Sequence, residues 1–311
     1  MSDKPPISER GAWSLAWQRF RHHKLAMASA ALLIVLAVLS AAAPLFEIMF
    51  GIDASRVDLL HRFTLPTTDA WLGRDELGRD VFVRMLYGGQ VSLLVGAVTA
   101  IAAAVIGTMV GLAAAYRGGW LDALLMRFTD AVIALPFLPL LIVLAAIDLN
   151  KLGIPPALIN SELISLYRII FIVALVGWTT SARLVRGAAL SIRERDFVLA
   201  ARAQGASAWR IMGVHILPNL VSPIIVATTL SAGKIILLES VLSFLGLGIQ
   251  PPVASWGNQL TNAQELIYSA PQLAFFPGIA IFVTVIAFNF LGDGLQDALD
   301  PKSVSHASTG R

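Results

Sequence analysis

Apolar side chains in this chain occur in long uncharged runs, and not in the alternating pattern of a half-buried strand. A bilayer core of about 30 Å is crossed by roughly 20 apolar helical residues, so each long run predicts a transmembrane helix. The six runs cover residues 25–46, 85–116, 131–147, 163–182, 211–233 and 266–292. The run 163–182 includes one charge, Arg168, which must extend toward the membrane surface from near one end of its helix. The pattern therefore predicts an all-α membrane protein with six transmembrane helices.

A further uncharged stretch, residues 240–264, is not predicted to span the membrane. Five residues that break helices interrupt it, namely Gly246, Gly248, Pro251, Pro252 and Gly257. Main-chain polar groups without partners cannot face lipid, so such a segment has to line a cavity or lie outside the bilayer. We expect a re-entrant or scooped loop here.

Composition excludes a soluble enzyme. Hydrophobic residues make up 57% of the 311 residues and charged residues only 14%, whereas soluble domains carry roughly 25% charged residues. The absence of cysteine excludes disulfides and thiolate chemistry. A net charge of +3 is too small to indicate nucleic-acid binding, so no nucleic-acid partner is expected.

The distribution of lysine and arginine predicts the orientation in the membrane. With a cytoplasmic N-terminus, 15 of these residues fall on the cytoplasmic side and seven on the other side, which agrees with the positive-inside rule. Both termini are then cytoplasmic. The segments are a basic leader (1–24), an N-terminal anchor (25–46), an extracytoplasmic loop (47–90), a transmembrane domain (91–297) with a cytoplasmic loop (186–218), and a tail (298–311). A cleaved signal peptide is the alternative for the first run, but 22 uncharged residues exceed the usual apolar core of roughly 7–15.

The chain lacks the sequence patterns of a catalytic subunit. No phosphate-binding loop of the form G-x-x-x-x-G-K-[ST] occurs, and the five histidines lack the spacing of metal ligands. We therefore expect no catalytic residues, no metal and no cofactor. Energy for any uphill transport would have to come from a partner or from an ion gradient. An ion-coupled secondary transporter and a non-transporting membrane scaffold remain alternatives at this point.

Lys234 and Glu239 are the candidate residues for a pathway or gate. Both lie near the end of the fifth run, where ionisable groups are costly and often functional. The simpler interpretation is a lysine that extends to the membrane surface and has an acid nearby.

Between the fourth and fifth runs lies a segment that predicts two short helices joined by a glycine. Asp196 is a candidate N-cap of the first helix, Gly205 a left-handed stop, and Ser207 the N-cap of the second helix. Ala200 and Ala201 would let another surface approach closely. A compact protrusion of this kind suits docking into a cleft of a partner, although an ordinary loop between helices is the alternative.

This segment resembles the coupling motif of ABC-importer permeases, Glu-Ala-Ala-x3-Gly-x9-Ile-x-Leu-Pro. The matching positions are Ala200, Ala201, Gly205, Leu217 and Pro218. Leu199 replaces the acid of the motif, and His215 replaces its isoleucine. Residues 72–96, 116–136, 237–260 and 290–302 are similar to the peptide/nickel branch of these importers, and to the C-type subunit of its two permeases.

The resemblance implies a type I ABC importer permease fold and half of a translocation pathway. Implied partners are a second, homologous permease, two ATP-binding subunits that hydrolyse ATP, an extracytoplasmic substrate-binding protein and the lipid bilayer. The residues implied to meet the ATPase are Leu199, Ala200, Ala201, Gly205, Ser207, His215, Leu217 and Pro218. The substrate stays open among dipeptides, longer peptides, glutathione-like compounds and nickel chelates.

Gly107 and Gly111 form a G-x-x-x-G pair in the second run. Such a pair predicts a face on which two helices approach closely. The partner helix could belong to this chain or to the second permease.

Overall fold

The computed structural model describes residues 12–153, 155–159, 161–261 and 263–299. In that part of the chain the regular secondary structure is helical, apart from an isolated bridge between Arg74 and Asp80. The outer portions of the predicted leader and tail, residues 1–11 and 300–311, lie outside the described residues.

The described helices follow in chain order. They are α1 (Ala12–His22), α2 (Lys24–Ala41), α3 (Ala43–Phe50), α4 (Val81–Arg117), α5 (Gly119–Ala134), α6 (Phe137–Ala145), α7 (Pro156–Ile159), α8 (Ile164–Arg193), α9 (Asp196–Ala203), α10 (Ala208–Arg210), α11 (Leu217–Phe244), α12 (Ala263–Leu266) and α13 (Gln272–Leu299). A π-helix, Ile211–Ile216, joins α10 to α11. Short 3₁₀ helices occur at Leu59–His61, Leu149–Leu152 and Asn258–Leu260.

Five helices are long and apolar enough to cross a bilayer: α2, α4, α8, α11 with its preceding turns, and α13. The sixth candidate is the pair α5 and α6, which meet at an angle of 85°. The predicted run 131–147 is therefore not one straight helix. Pro136 lies in the break, has no N–H to donate, and keeps Leu135 extended at ψ 139°.

Several other predicted boundaries were wrong. The fourth run was expected to end at residue 182, but α8 continues to Arg193, and the first run divides at Ala42 into α2 and α3. The fifth run was expected to end at residue 233, but α11 continues to Phe244 and so includes Lys234 and Glu239 within one helix. The last run was expected to begin at residue 266, but α13 begins at Gln272. Of the stretch 240–264, which was not predicted to span, residues 240–244 form the last turn of α11, and no spanning helix forms over the described residues of 245–264.

Helix α4 is the centre of the bundle and packs closely against α8. A Cβ atom on Gly107 would lie 2.5 Å from the carbonyl oxygen of Trp178, and one on Gly111 would lie 2.6 Å from that of Ala182. Both distances are shorter than any tolerated contact. The G-x-x-x-G pair therefore packs against a helix of the same chain.

The bundle has two distinct ends. We call the end where α4 and α13 begin and α11 finishes the mouth end; it carries residues 51–80, 245–261 and 263–271. The opposite end, where α8 finishes and α11 begins, is the coupling end and carries residues 193–218. Ion pairs hold α5 along α8 toward the coupling end: Arg186 binds Asp122 through two hydrogen bonds of 2.5 and 2.6 Å, and Arg183 binds Asp130.

Candidate functional site

The segment 193–218 folds as two short helices around a left-handed glycine. Gly205 has φ +80°, and the Ser207 hydroxyl accepts the N–H of Arg210 at 3.4 Å, so the predicted stop and second cap are confirmed. The predicted first cap was wrong. Asp196 is the first residue of α9, Arg195 occupies the N-cap position, and no side chain caps this helix.

One face of this segment is anchored in the bundle. Val198, Ile211 and Ile216 are buried together with Leu220 against the final turns of α4 and α8. Arg193 donates a hydrogen bond of 2.8 Å to the carbonyl oxygen of Ala115, at the end of α4. The protrusion is therefore fixed to the spanning helices, and a force on it reaches them directly.

The opposite face of α9 is open. With about 100° between successive helical residues, exposed Ala200 and Ala203 lie opposite buried Val198. Phe197 (46% exposed) and Leu199 (43% exposed) flank these alanines on either side. Trp209 on α10 is 82% exposed. The exposed face of α9 therefore has small side chains along its centre and a larger apolar side chain on each side.

The motif positions near α11 have different surroundings. His215 is half-buried within the π-helix, and its carbonyl oxygen accepts the side-chain N–H of Asn219 at 2.8 Å. The next residue, Ile216, supplies the buried apolar side chain that His215 does not. Leu217 and Pro218 form the first turn of α11, where the missing N–H of proline costs nothing.

Lys234 and Glu239 lie apart, although both belong to α11. Lys234 is exposed and lines a cavity of about 480 Å³ between α8, α11 and α13, together with Thr180, Leu230 and Gln296. Glu239 has no exposed surface. No ion pair joins them in the described structure.

Glu239 is enclosed by serine side chains. Its Oε1 accepts a hydrogen bond of 2.7 Å from Ser243, and its Oε2 accepts one of 3.1 Å from Ser92 on α4. This network could not be predicted from the sequence, because Ser92 lies 147 residues away from Glu239 along the chain. The sequence shows only that Glu239 and Ser243 are one helical turn apart, a spacing at which their side chains can meet.

Charged side chains cluster where residues 51–80 meet the first turn of α4. Arg79 binds Asp75 at 2.7 Å, and the buried guanidinium of Arg84 lies 3.5 Å from the same carboxylate. These residues line a cavity of about 310 Å³ with Gln250 and Gln259. The cavity at the mouth end is thus lined by several charged side chains, whereas Lys234 is the one charged residue among the described lining of the other cavity.

Two aspartates beside this cluster have shifted pKa values. A hydrogen bond with His61 holds the pKa of Asp58 below its usual range, with the charge of Arg74 a smaller influence. Burial raises the pKa of Asp80, although its carboxylate accepts the N–H of Val83 at 2.9 Å and so caps α4. Asp80 thus fixes the first turn of α4, while Asp58 binds His61 and Arg74 within residues 51–80.

Two segments of the chain match families of transport permeases. Residues 103–304 match the family of binding-protein-dependent transport system inner membrane components. Residues 11–55 match the N-terminal transmembrane domain of oligopeptide transport permease C. The chain belongs to this permease family.

Curated relatives resemble the permease over almost its whole length. The dipeptide transport system permease protein DppC of Alkalihalophilus pseudofirmus is 38% identical over 94% of this chain and 91% of its own length. The oligopeptide transport system permease protein OppC of Bacillus subtilis is 36% identical over 96% of this chain and 93% of its own. The glutathione transport system permease protein GsiD of Escherichia coli O6:K15:H31 is 40% identical over the same shares. The permease is accordingly a C-type, multi-pass inner-membrane subunit of an ATP-driven importer, with the all-α fold of that class.

Proposed function

We propose that this permease forms half of a translocation pathway for peptides or a related small solute, and that its 193–218 segment docks on an ATP-hydrolysing subunit. The observation that carries this proposal is the match of residues 103–304 to binding-protein-dependent permeases, with the coupling motif inside that range. The names of the relatives, which transport dipeptides, oligopeptides or glutathione, support the substrate class.

The complete importer contains this chain, one homologous permease, two ATP-binding subunits and an extracytoplasmic substrate-binding protein. Both termini and the coupling end face the cytoplasm, since 15 of the lysines and arginines then lie inside. The mouth end faces the binding protein. Residues 51–80 and the loop after α11 then lie on the same side of the membrane as the binding protein.

Docking at the coupling end relies on shape and apolar contact. Leu199 stands where the family motif has an acid, and it is exposed beside Ala200 on a segment that lies outside the spanning helices. Arg195 and Arg210 are also exposed there and form no ion pair within the described residues. The complementary surface of the ATPase is therefore an apolar groove with an acidic rim.

Transmission of the closing motion follows from the anchoring of this segment. Val198 and Ile211 lie in the same buried cluster as Leu112 of α4 and Val185 of α8. Movement of the protrusion has to move these helices, because packed interiors shift between discrete arrangements and do not deform freely. ATP binding favours one arrangement through its differential contacts with the two.

Lys234 is the proposed pathway residue. Its cavity opens on the surface between α8, α11 and α13, and the ammonium group would attract the carboxylate of a passing peptide. Glu239 is buried from any solute in this conformation, so its proposed effect on the gate is exerted through its neighbours.

Co-purification in mild detergent, followed by mass spectrometry, tests the assembly. We expect this chain with one second permease and two ATP-binding subunits. In reconstituted vesicles, uptake of a labelled peptide should then require ATP on the cytoplasmic side of the permease and the binding protein on the opposite side. Recovery of the chain alone or as a homodimer, or uptake driven by a proton gradient without ATP, would refute the proposal.

A further inference from the structure

The loop 245–257 folds back over the end of α11 and lies against the start of α4. Its indole at Trp256 donates a hydrogen bond of 3.0 Å to the carbonyl oxygen of Met85, and Gln259 just beyond it donates one of 3.0 Å to that of Arg84. Ile249, Ser255 and Trp256 are buried. The loop is therefore a packed part of the mouth end.

Two main-chain N–H groups of this loop end on the serines that hold Glu239. The N–H of Ile249 is donated to Ser243 Oγ at 2.9 Å, and the N–H of Trp256 is donated to Ser92 Oγ at 3.2 Å. Because each hydroxyl accepts from the loop, its own proton is free to be donated onward. Both protons are donated to the Glu239 carboxylate, one to each oxygen.

Glu239 thus joins three elements at one point: α11 through its own backbone, α4 through Ser92, and both arms of the loop. Two converging hydroxyl donors require an acceptor at each oxygen. An ionised carboxylate meets this requirement because both of its oxygens only accept hydrogen bonds. The neighbouring Ser240 hydroxyl donates to the carbonyl oxygen of Ile236 at 2.8 Å. In the described structure no lysine, arginine or histidine forms an ion pair with it.

The backbone of the loop 245–257 packs closely against α11 around the carboxylate. A Cβ on Gly248 would lie 2.5 Å from the nitrogen of Ser243, and one on Gly257 would lie 2.6 Å from the Cα of Ser240. The loop is therefore held in register by close contact as well as by hydrogen bonds.

We infer that Glu239 is the positioning residue of the loop 245–257: through Ser92 and Ser243 it fixes the loop to α4 and α11, so that the three move as one rigid piece. The loop then presents a constant surface at the mouth end whenever α4 and α11 shift. A side chain that offers a donor in place of one carboxylate oxygen breaks one of the two links, either that through Ser92 or that through Ser243.

Hydrogen exchange of the full-length permease in detergent tests this inference directly. In Glu239→Gln, one of the two serines loses its acceptor, so the amide on that serine, Ile249 or Trp256, should exchange at least about tenfold faster, which is the change expected from one lost buried hydrogen bond. Amides of α9 and α10 at the coupling end should keep their rates. Thr228→Val is the matched control, because the Thr228 hydroxyl bonds only Ile224 of its own helix.

Two single-arm variants distinguish positioning from general loss of stability. Ser92→Ala should accelerate exchange at Trp256 and spare Ile249, whereas Ser243→Ala should accelerate exchange at Ile249 and spare Trp256. Equal acceleration of both amides in both variants would contradict the inference. So would unchanged rates in Glu239→Gln.

A second measurement rests on the proposed function and uses the complete importer. In Glu239→Gln, stimulation of ATP hydrolysis by loaded binding protein should fall at least about tenfold, because the loop 245–257 is no longer held to α4 and α11, whereas Thr228→Val should keep the wild-type stimulation. If the wild-type importer shows no such stimulation, the proposed function fails and the exchange result still decides the inference. If stimulation in the variant equals that of wild type, the inference fails and the proposed function stands.

Discussion

At the scale of single residues, the absence of two side chains sets the distance between α4 and α8. Gly107 and Gly111 leave room for the carbonyl groups of Trp178 and Ala182, which would otherwise be in collision with a Cβ. In a membrane, where lipid competes poorly with close van der Waals packing, such contact is a principal source of helix association. The stability of the bundle should therefore be sensitive to one methyl group at these positions.

Gly111→Ala should lower the thermal stability of the purified permease by several degrees. The added methyl has to displace the backbone of α8 at Ala182, and overpacking of this kind costs about 1–3 kcal/mol. Gly187→Ala is the matched control, since its Cβ would meet nothing within 4 Å and alanine favours helix. Melting curves in detergent measure both. Equal melting temperatures for the two variants would mean that the close approach is not energetically important.

Leu199 shows how a departure from a family motif can have its own chemistry. Replacing it by the motif acid, Leu199→Glu, should reduce peptide uptake per ATP hydrolysed roughly tenfold or more, because an unpaired carboxylate would be desolvated in an apolar groove. Leu199→Met should keep normal coupling because it preserves the apolar volume. Improved coupling in Leu199→Glu would instead indicate a cation on the ATPase at this point.

At the scale of elements, sequence predicted the existence of helices better than their ends. Apolar runs with at most one charge identified α2, α4, α8, α11 and α13 because lipid requires both apolar side chains and internal hydrogen bonding. The uncharged run stopped short of the end of α11, because Lys234 interrupts it although this lysine lines a cavity and Glu239 beyond it is hydrogen-bonded by serine hydroxyls. Contacts between residues more than 100 positions apart, such as Glu239 with Ser92, leave no local pattern.

The turn between α9 and α10 provides a test of coupling at this scale. Gly205→Pro should insert in the membrane and assemble, but ATP hydrolysis should proceed without uptake, because proline holds φ near −65° and the turn needs φ +80°. Gly205→Asn is the control, since asparagine tolerates the left-handed conformation and should retain coupling. Parallel assays of ATPase activity and uptake in vesicles give the ratio. Normal uptake in Gly205→Pro would count against docking through this segment.

At the scale of the whole molecule, sequence predicted the fold class and the family, and left the arrangement of the mouth end unresolved. The coupling segment could be placed because its residues are contiguous, from Arg193 to Pro218. The mouth end brings together residues 51–80, the start of α4 and the loop 245–257, which only the tertiary structure reveals.

The orientation of the permease can be measured with single cysteines, because the natural chain has none. Gln204→Cys, exposed at the coupling end, should react with a membrane-impermeant maleimide only in inverted vesicles. Thr68→Cys, exposed in residues 51–80, should react only in cells that keep a sealed cytoplasmic membrane but have lost their outer layers. The reverse pattern would place both termini outside.

The bend between α5 and α6 has a consequence for the life of the protein in the cell. Helix α6 has nine residues, about 14 Å of helix, and cannot cross a bilayer alone, while Leu135 and Leu138 beside the break are exposed. A break of this kind is tolerated at membrane depth only when other protein covers it. A copy synthesised without its companion permease should therefore be an orphan that membrane quality-control proteases remove, with a half-life in pulse–chase experiments several-fold shorter than in the co-expressed pair. Equal half-lives would show that the chain shields its own bend.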